Sequence, residues 1–297
     1  MRREDVEMKT EIKGTTKLMA LIGTPIGHSG SPAMYNYCFE KDQLDYAYVA
    51  FDIDIPQVEQ FIQSAKVLGF KGFNITMPCK QEVVKYMDEL SLAARLIGAC
   101  NMVTIEGDKM TGYNTDGVGF VENLRAYGVD VKGKKIVIVG AGGAGIAIQV
   151  QCAIDGASEI SVFNPKDEFF ENAVKKAEEI QKEIPACHMN VYDLADEALF
   201  KNEVAQSAIL INATKAGMSP MQDTTIVNDV SVFREDLVVA DVVYNPKETK
   251  LMREAKEAGC KTVIGGVGML VRQGAVNYHL YTGKEMPVEE VEEKFFS

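Results

Sequence analysis

Four glycines within residues 140–145 are spaced as in turns that bind phosphate groups. They stand between an apolar run, residues 136–139, and a helical pattern that begins near Gly143. Gly140 and Gly142 permit a tight turn and the close approach of a pyrophosphate, and the first N–H groups of a helix attract phosphate. Because Gly143 intervenes, the spacing alone is weak evidence for phosphate binding. The alternative is a structural turn without a ligand. The strand–glycine–helix context nevertheless predicts a dinucleotide-binding turn. Its expected cofactor contacts are Gly140, Ala141, Gly142, Gly143 and Ala144.

Residues 163–167 follow the second strand of this half and should lie near an adenosine ribose. An acid there hydrogen-bonds the ribose hydroxyls and repels a 2′-phosphate, whereas an arginine attracts that phosphate. Asn164, Lys166 and Asp167 are the expected cofactor contacts, and only Lys166 favours the phosphate. The segment therefore favours NAD, with NADP possible. In the alternative, Asp167 only caps a helix that starts near Glu168.

Four segments in the first half carry polar side chains where loops should follow strands. They are residues 23–32, 72–80, 98–101 and 112–117. In open α/β sheets, ligands bind at the loops beyond the carboxyl ends of strands. These segments are therefore candidates for a ligand site.

Alternating strand and helix patterns position these segments and predict an α/β fold. In the first half, strands are predicted at residues 18–22, 46–52, 73–76 and 102–105, with helices at 32–40 and 57–67. In the second half, strands are predicted at 135–139, 160–163, 208–212, 237–242 and 262–264, with helices at 168–183 and 249–258. The alternation of strands and helices in the second half is typical of a doubly wound, Rossmann-type dinucleotide-binding domain.

The chain should end in two helices, at residues 269–281 and 288–296, which return to the first domain. The predicted substrate-binding and catalytic domain is therefore 1–117 plus about 269–297, and the dinucleotide-binding domain is 118–268. The charged start, residues 1–14, lacks the apolar stretch of a signal peptide, and its first dozen residues are expected to form a solvated leader.

Composition narrows the possible partners. A net charge of −12 repels nucleic acid phosphates and anionic lipids, so neither nucleic acid nor membrane is an expected partner. An anionic substrate must then be held by short-range hydrogen bonds or a local cation. The six cysteines are scattered singly, without the spacing of metal ligands, so no metal and a reducing, cytoplasmic location are expected.

The four polar segments, in this order ahead of the 140–145 turn, resemble those of the shikimate dehydrogenase family. The resemblance continues through residues 212–218, 241–246 and 268–273 and covers the chain from about Lys17 to its end. Residues 163–170 and Lys215 are more similar to the quinate/shikimate dehydrogenase branch. The resemblance implies an NAD(P)-dependent oxidoreductase that interconverts shikimate and 3-dehydroshikimate, and also quinate and 3-dehydroquinate, with a small cyclic hydroxy acid as its partner.

The resemblance also implies roles for individual residues. Lys80 and Asp116 match the catalytic pair. Substrate contacts are implied at Ser29, Ser31, Thr76, Lys80, Asn101, Asp116, Tyr244 and Gln273, with Asn74 and Asn114 as supports. Further cofactor contacts are implied at Phe169, Lys215, Val242, Tyr244 and Gly268.

The chemistry of these side chains is consistent with the implied reaction. A ketone that gains hydride develops charge on oxygen, which the ammonium of Lys80 can stabilise and protonate, while the reverse direction needs a neutral base. Whether Lys80 or Asp116 moves the proton stays open. Neutral hydroxyl donors such as Ser29 and Ser31 suit a carboxylate in an acidic protein; the alternative for Ser31 is a helix N-cap.

Three further matters stay open at the level of the sequence. The glycine run at residues 264–268 is longer than usual for the family, which leaves the loop conformation undetermined. A non-catalytic regulator that binds a cofactor or metabolite on the same fold is the alternative function. A homodimer is possible.

Overall fold

The computed structural model describes residues 11–296, and in this range the chain forms two compact units. The first comprises residues 11–94, 98–113 and 277–296, and the second comprises 95–97 and 114–276. The unit boundaries thus fall at 113/114 and 276/277, whereas the sequence places the domain boundaries at 117/118 and about 268/269. The functions assigned to those domains stay predictions, and residues 1–10 of the predicted leader lie outside the described residues.

Six strands form a mixed sheet in the first unit. They are Lys17–Gly23 (β1), Tyr46–Asp52 (β2), Gly72–Ile75 (β3), Glu89–Leu90 (β4), Met102–Glu106 (β5) and Lys109–Tyr113 (β6). The order is β2-β1-β3-β5-β6-β4; β1 is parallel to β2 and β3, and β5 is antiparallel to β3 and β6. The carboxyl ends of β1, β3 and β6 and the start of β5 therefore lie at one edge of the sheet.

The second unit contains six parallel strands. They are Lys135–Val139 (β7), Glu159–Asn164 (β8), His188–Asp193 (β9), Ile209–Asn212 (β10), Val238–Asp241 (β11) and Thr262–Ile264 (β12). Their order, β12-β11-β10-β7-β8-β9, is that of a doubly wound dinucleotide-binding sheet, with the strand order reversing between β7 and β10. The predicted Rossmann-type fold is confirmed.

Ten α-helices accompany the two sheets in residues 11–296. They are Ser31–Lys41 (α1), Val58–Val67 (α2), Leu92–Ile97 (α3), Asp116–Ala126 (α4), Gly143–Ile154 (α5), Phe170–Glu183 (α6), Glu197–Gln206 (α7), Lys250–Glu257 (α8), Val267–Thr282 (α9) and Val288–Phe296 (α10). Helix α2 shows why such patterns fold: Val58, Ile62 and Ala65 recur on one face and are buried in the first core. Within the same range, no helix has the length and apolarity needed to cross a bilayer.

The end of the chain returns to the first unit, as predicted. The hydroxyl of Tyr278 donates to the carbonyl oxygen of Cys38 at 3.1 Å and to the carboxylate of Asp42 at 2.5 Å. The ring of Tyr278 also stacks on Phe39, with 5.7 Å between centroids. These contacts fasten the last turns of α9 to the end of α1.

The sequence patterns miss β6 and place Gly112 and Tyr113 in a loop, whereas both residues end this strand. Its sequence, KMTGY, has little β propensity, because it contains one β-branched residue and an internal glycine. It forms because Glu106 pairs with Lys109 across a two-residue turn, in which Gly107 has a φ of 61°. The Gly-Asp dipeptide of that turn is the signal that could have revealed the hairpin.

Candidate active site

The glycine turn between β7 and α5 is packed so tightly that a side chain is excluded at two of its positions. Gly140 has a φ of +106°, and a Cβ there would lie 2.8 Å from Cγ2 of Thr214. A Cβ at Gly145 would lie only 2.2 Å from the carbonyl oxygen of Gly140. These two glycines therefore allow the turn to approach β10 and allow α5 to pack on its own strand.

Gly142 and Gly143 differ from those two, because a Cβ at either would meet no atom within 4 Å. Both are exposed, and Gly142 immediately precedes α5, whose first N–H groups have no partner within the helix. Gly140, Gly142 and Gly145 thus hold the three positions of a GxGxxG turn. The expectation that Gly143 weakens the match to this motif was wrong, because Gly143 occupies one of its variable positions. The open side of the turn fits a pyrophosphate.

The end of β8 braces this turn and shapes the segment after it. Asn164 is 7% exposed, and its Oδ1 accepts the N–H of Ala141 at 3.1 Å. The carboxylate of Asp167 accepts the N–H of Phe169 at 3.0 Å, one residue before α6. The helix therefore begins at Phe170 and not near Glu168, although Asp167 does bind the backbone ahead of it, as in the capping alternative.

A cation and a cavity lie beside this segment. The ammonium of Lys166 stands 5.7 Å from the centroid of the Phe170 ring. A cavity of about 390 Å³ within the second unit is lined by Pro165, Thr214 and Lys215, next to the carboxyl ends of β8 and β10. Its apolar lining comes partly from Phe200, Met221 and Ile226. Sequence reasoning missed these three residues, because only the strand order brings α7 and the 221–229 loop to this edge.

A buried polar network holds the loops after β10 and β11. Oδ1 of Asn212 accepts the N–H and the hydroxyl of Thr214 at 3.0 and 2.7 Å, and its Nδ2 donates to Asp241 at 3.0 Å. Thr249 donates to the other oxygen of Asp241 at 2.7 Å. Burial raises the pKa of Asp241, whereas the hydrogen bonds from Val243, Thr249 and Asn212 oppose that rise. The loops that this network holds carry the predicted contacts Lys215, Val242 and Tyr244.

Glycines also fix the two helices that carry Asp116 and Gln273. Asp116 is the first residue of α4, and a Cβ at the next residue, Gly117, would lie 2.2 Å from a carbonyl oxygen of α5. A Cβ at Gly119 would lie 2.5 Å from the backbone nitrogen of Gln273 in α9. Helix α4 is thereby packed closely against α5 and α9, which sets the backbone of both predicted residues. Oδ1 of Asn114 accepts the N–H of Asp116 at 3.2 Å.

The unusual glycine run at residues 264–268, which leads into the first turn of α9, has a packing explanation. A Cβ at Gly266 would lie 2.2 Å from the carbonyl oxygen of Val242, and a Cβ at Gly268 would lie 1.9 Å from Oδ1 of Asn123. The amide of Asn123 also donates to the carbonyl oxygen of Gly265 at 3.1 Å. The start of α9 therefore lies directly against α4 and the loop after β11.

In the first unit, the predicted serines lie at the start of α1. Ser31 is the first helical residue and Gly30 is the cap, so Ser31 is not the N-cap of the alternative reading. Oγ of Ser29 accepts the N–H of Ser31 at 3.3 Å. Both side chains are half-buried at the helix start, where the dipole favours an anion.

Backbone hydrogen bonds gather Thr76, Lys80 and Asn101 at one edge of the first sheet. Thr76 N–H donates to the carbonyl oxygen of Ile22 at 2.8 Å, which joins the ends of β3 and β1. The carbonyl oxygen of Asn101 accepts the N–H of Ile75, and the carbonyl oxygen of Lys80 accepts the N–H of Cys100, each at 2.8 Å. The three predicted substrate residues of this edge are thus carried by neighbouring backbone segments.

The two cysteines beside these residues are poor nucleophiles. Cys79 and Cys100 are fully buried. Burial raises the pKa of the Cys100 thiol to about 12, and burial also raises the pKa of Cys79. Both thiols stay protonated near neutral pH, which leaves the chemistry of this edge to its amide, hydroxyl and ammonium groups.

The predicted site residues divide between the two units. Ser29, Ser31, Thr76, Lys80 and Asn101 lie in the first unit, and Asp116, Tyr244, Gln273 and the predicted cofactor contacts lie in the second. Across residues 11–296, no three His, Cys, Asp or Glu side chains cluster as a metal site requires.

Two family models match the chain. The model described as "Shikimate dehydrogenase substrate binding domain" matches residues 21–103. The model described as "Shikimate 5'-dehydrogenase C-terminal domain" matches residues 266–294.

Known relatives are similar over nearly the whole length. The chain is 45% identical to shikimate dehydrogenase (NADP(+)) of Streptococcus uberis, over 98% of this chain and 99% of that protein. It is 42% identical to shikimate 5-dehydrogenase from Listeria monocytogenes, solved in complex with shikimate and NAD, with a TM-score of 0.93 over 96% of this chain and 98% of that one. It is 30% identical to quinate dehydrogenase from Corynebacterium glutamicum, solved in complex with NAD, with a TM-score of 0.83 over 94% and 98% of the two chains.

Proposed function

The chain belongs to the shikimate dehydrogenase family, and we propose that it interconverts shikimate and 3-dehydroshikimate with NAD, and quinate and 3-dehydroquinate as second substrates. The family membership confirms the resemblance expected from the polar segments. The observation that carries the proposal is the gathering of Thr76, Lys80 and Asn101 at one sheet edge by backbone hydrogen bonds. An ammonium, a hydroxyl and an amide carried on neighbouring backbone segments suit a ring that carries hydroxyls and a ketone.

We assign the substrate contacts by the chemistry of each side chain. Ser29 and Ser31 donate to the substrate carboxylate at the start of α1, and Tyr244 donates to the same group. Thr76, Asn101 and Gln273 bind the ring hydroxyls. Neutral donors hold an anion without the long-range attraction that a chain of net charge −12 cannot supply.

Lys80 and Asp116 handle the proton of the reacting oxygen. In the reducing direction, the ammonium of Lys80 stabilises the oxygen that gains charge and donates a proton to it. In the oxidising direction, the hydroxyl proton passes to the Lys80 and Asp116 pair. When bound, the nicotinamide cofactor accepts or returns the hydride.

The residues of the second unit fit such a cofactor. Gly142 and Gly143 leave open space at the start of α5, where N–H groups can bind the pyrophosphate. Asp167 and Glu168 place two acids beside the expected ribose site, and residues 164–169 contain no arginine. These charges support NAD, although the relative from S. uberis is named for NADP(+). The assignment of NAD over NADP is therefore the part of the proposal that most needs measurement.

The test is the absorbance of reduced nicotinamide, with shikimate and quinate each assayed against NAD and NADP. We expect turnover of both acids with NAD, and a kcat/KM with NADP that is lower than with NAD. A preference for NADP would refute the cofactor assignment alone. Silence in all four mixtures, with cofactor binding intact, would refute the enzymatic proposal and favour the non-catalytic regulator. The homodimer and the cytoplasmic location stay predictions.

A further inference from the structure

Two phenols and one amide form a hydrogen-bonded group inside the first unit. The hydroxyl of Tyr48 donates to Oδ1 of Asn74 at 2.8 Å, and the hydroxyl of Tyr281 donates to the same oxygen at 3.1 Å. From its other end, Nδ2 of Asn74 donates to the carbonyl oxygen of Asn101 at 3.2 Å. An amide oxygen has two lone pairs, so the two phenols occupy both and leave the amide one orientation.

Burial keeps this group in one protonation state. Asn74 is 6% exposed and Tyr48 is 1% exposed. Burial raises the pKa of Tyr48 and of Tyr281 well above the usual value for tyrosine. Both hydroxyls therefore stay protonated and remain donors to Asn74.

Gly72 allows Tyr281 to reach this position. A Cβ at Gly72 would lie 2.6 Å from Cε1 of Tyr281, so the ring rests directly on the backbone of β3. Gly72 and Asn74 are two residues apart and face the same side of the strand. This glycine therefore places the phenol beside the amide.

The peptide groups around Asn101 are held on several sides. Its carbonyl oxygen accepts from Asn74 and also from the N–H of Ile75 at 2.8 Å. Its N–H donates to the carbonyl oxygen of Tyr113 at 3.0 Å. These hydrogen bonds fix the peptide groups on both sides of Asn101, from which its side chain extends.

We infer that Tyr48, Asn74 and Tyr281 are positioning residues, which fix the peptide of Asn101 so that its side-chain amide meets a substrate hydroxyl in one orientation. The inference rests on the proposed function, in which Asn101 binds a ring hydroxyl. The three residues act through Asn101. Loss of both phenols frees the Asn74 amide to rotate, and the hydrogen bond to Asn101 is then lost in part of the population.

The test compares the full-length Tyr48→Phe/Tyr281→Phe double variant with a matched control, Tyr35→Phe. The ring of Tyr35 stacks on Tyr48, with 4.6 Å between centroids, and its hydroxyl pairs with Asn277 instead of Asn74. The control thus removes one buried hydroxyl from the same cluster and leaves the ring in place. We measure KM and kcat for shikimate, KM for the cofactor, the thermal midpoint, and hydrogen exchange at the N–H of Asn101.

We expect the double variant to raise KM for shikimate about tenfold, with KM for the cofactor changed by less than about twofold. Exchange at Asn101 should accelerate in the double variant only. The Tyr35→Phe control should lower the thermal midpoint yet keep both KM values and the slow exchange at Asn101.

Two results would overturn the inference. In one, the double variant keeps the KM for shikimate of the unaltered protein. In the other, all variants, Tyr35→Phe included, change every parameter in parallel, as a merely structural role requires. If the unaltered protein shows no turnover, the proposed function fails by itself. Exchange at Asn101 then still decides whether the phenols fix its peptide.

Discussion

Substitution of Gly142 by alanine should weaken cofactor binding without weakening the fold, whereas Gly145→Ala should strain the fold itself. The backbone at Gly142 has a φ of −75° and a ψ of −173°, which alanine adopts readily, and a Cβ there meets no atom within 4 Å. At Gly145, the same carbon would lie 2.2 Å from one backbone oxygen of Gly140 and 3.0 Å from the carbonyl carbon.

The magnitudes follow from these distances. For Gly145→Ala, α5 must retreat by about 1 Å to restore ordinary contact, and overpacking of this kind costs about 1–3 kcal/mol. That loss lowers the thermal midpoint by about 3–9 °C. For Gly142→Ala, the methyl group enters the space that the pyrophosphate needs. The loss of one charge-assisted hydrogen bond then weakens cofactor binding by about 10- to 100-fold. The thermal midpoint should stay level or rise slightly, because alanine restricts the unfolded chain.

The assay pairs a fluorescence titration with reduced nicotinamide cofactor and a thermal unfolding curve for each variant. Direct titration does not depend on turnover, so the result holds even if the substrate assignment is wrong. An unchanged Kd for Gly142→Ala would refute the placement of the pyrophosphate at this turn. A midpoint drop in Gly142→Ala as large as in Gly145→Ala would refute the division of the glycines into packing and ligand positions.

Three further predictions concern single charged groups. Lys80→Met should lower kcat by about 10²- to 10⁴-fold at an unchanged thermal midpoint, since it removes one of the two groups proposed to handle the proton; turnover at the original rate would exclude that role. Asp167→Asn keeps the oxygen that accepts from the Phe169 backbone but removes a charge, so the kcat/KM ratio of NADP over NAD should rise about fivefold. An unchanged ratio would mean that Asp167 does not face the ribose. The third group is Glu203. Burial alone would raise its pKa, but a hydrogen bond from Ser161 and the ammonium of Lys135 outweigh this effect and hold the pKa below its usual value. The contribution of ionised Glu203 to the free energy of unfolding is therefore present above about pH 4.5, and it is lost as the pH falls through the lower pKa of the folded state. Urea unfolding at pH 4 and pH 7 should show a smaller pH dependence in Glu203→Gln, and an equal dependence would contradict the pairing.

Elements whose local signals coincide could be predicted from the sequence, and elements that depend on distant partners could not. Strand β7, the glycine turn and α5 follow one another with an apolar run, a turn signal and a helical pattern, so each signal supports the next. Helix α7 carries no such pattern, because Glu203 lies buried on its inner face. That carboxylate is tolerated only because Lys135 and Ser161, far away in the sequence, supply its partners. Strand β9 is half-buried along most of its length, so its burial does not alternate between two faces.

The same distinction explains which parts of the candidate site could be predicted. Polar residues at strand ends mark the sheet edge from the sequence alone, but their types do not separate residues that bind a ligand from residues that hold a loop. Asn74, Asn164 and Asn212 all stand at or near the carboxyl end of a strand, and all three are nearly fully buried. Each uses its amide on the backbone of a neighbouring loop: at Asn101, at Ala141 and at Thr214.

Asparagine suits this task because its amide offers a donor and an acceptor without a charge that burial would penalise. An ionised aspartate at these positions would lack the N–H donor. Burial would also disfavour its charge, as burial raises the pKa of Asp241. The buried amides thus satisfy the loop backbones, which cannot pair within a sheet. Thr76 and Lys80, in the segment that follows β3, are only half-buried. Buried amides therefore support the loops around the candidate site, whereas the residues proposed to meet the substrate range from the half-buried Thr76 and Lys80 to the buried Asn101.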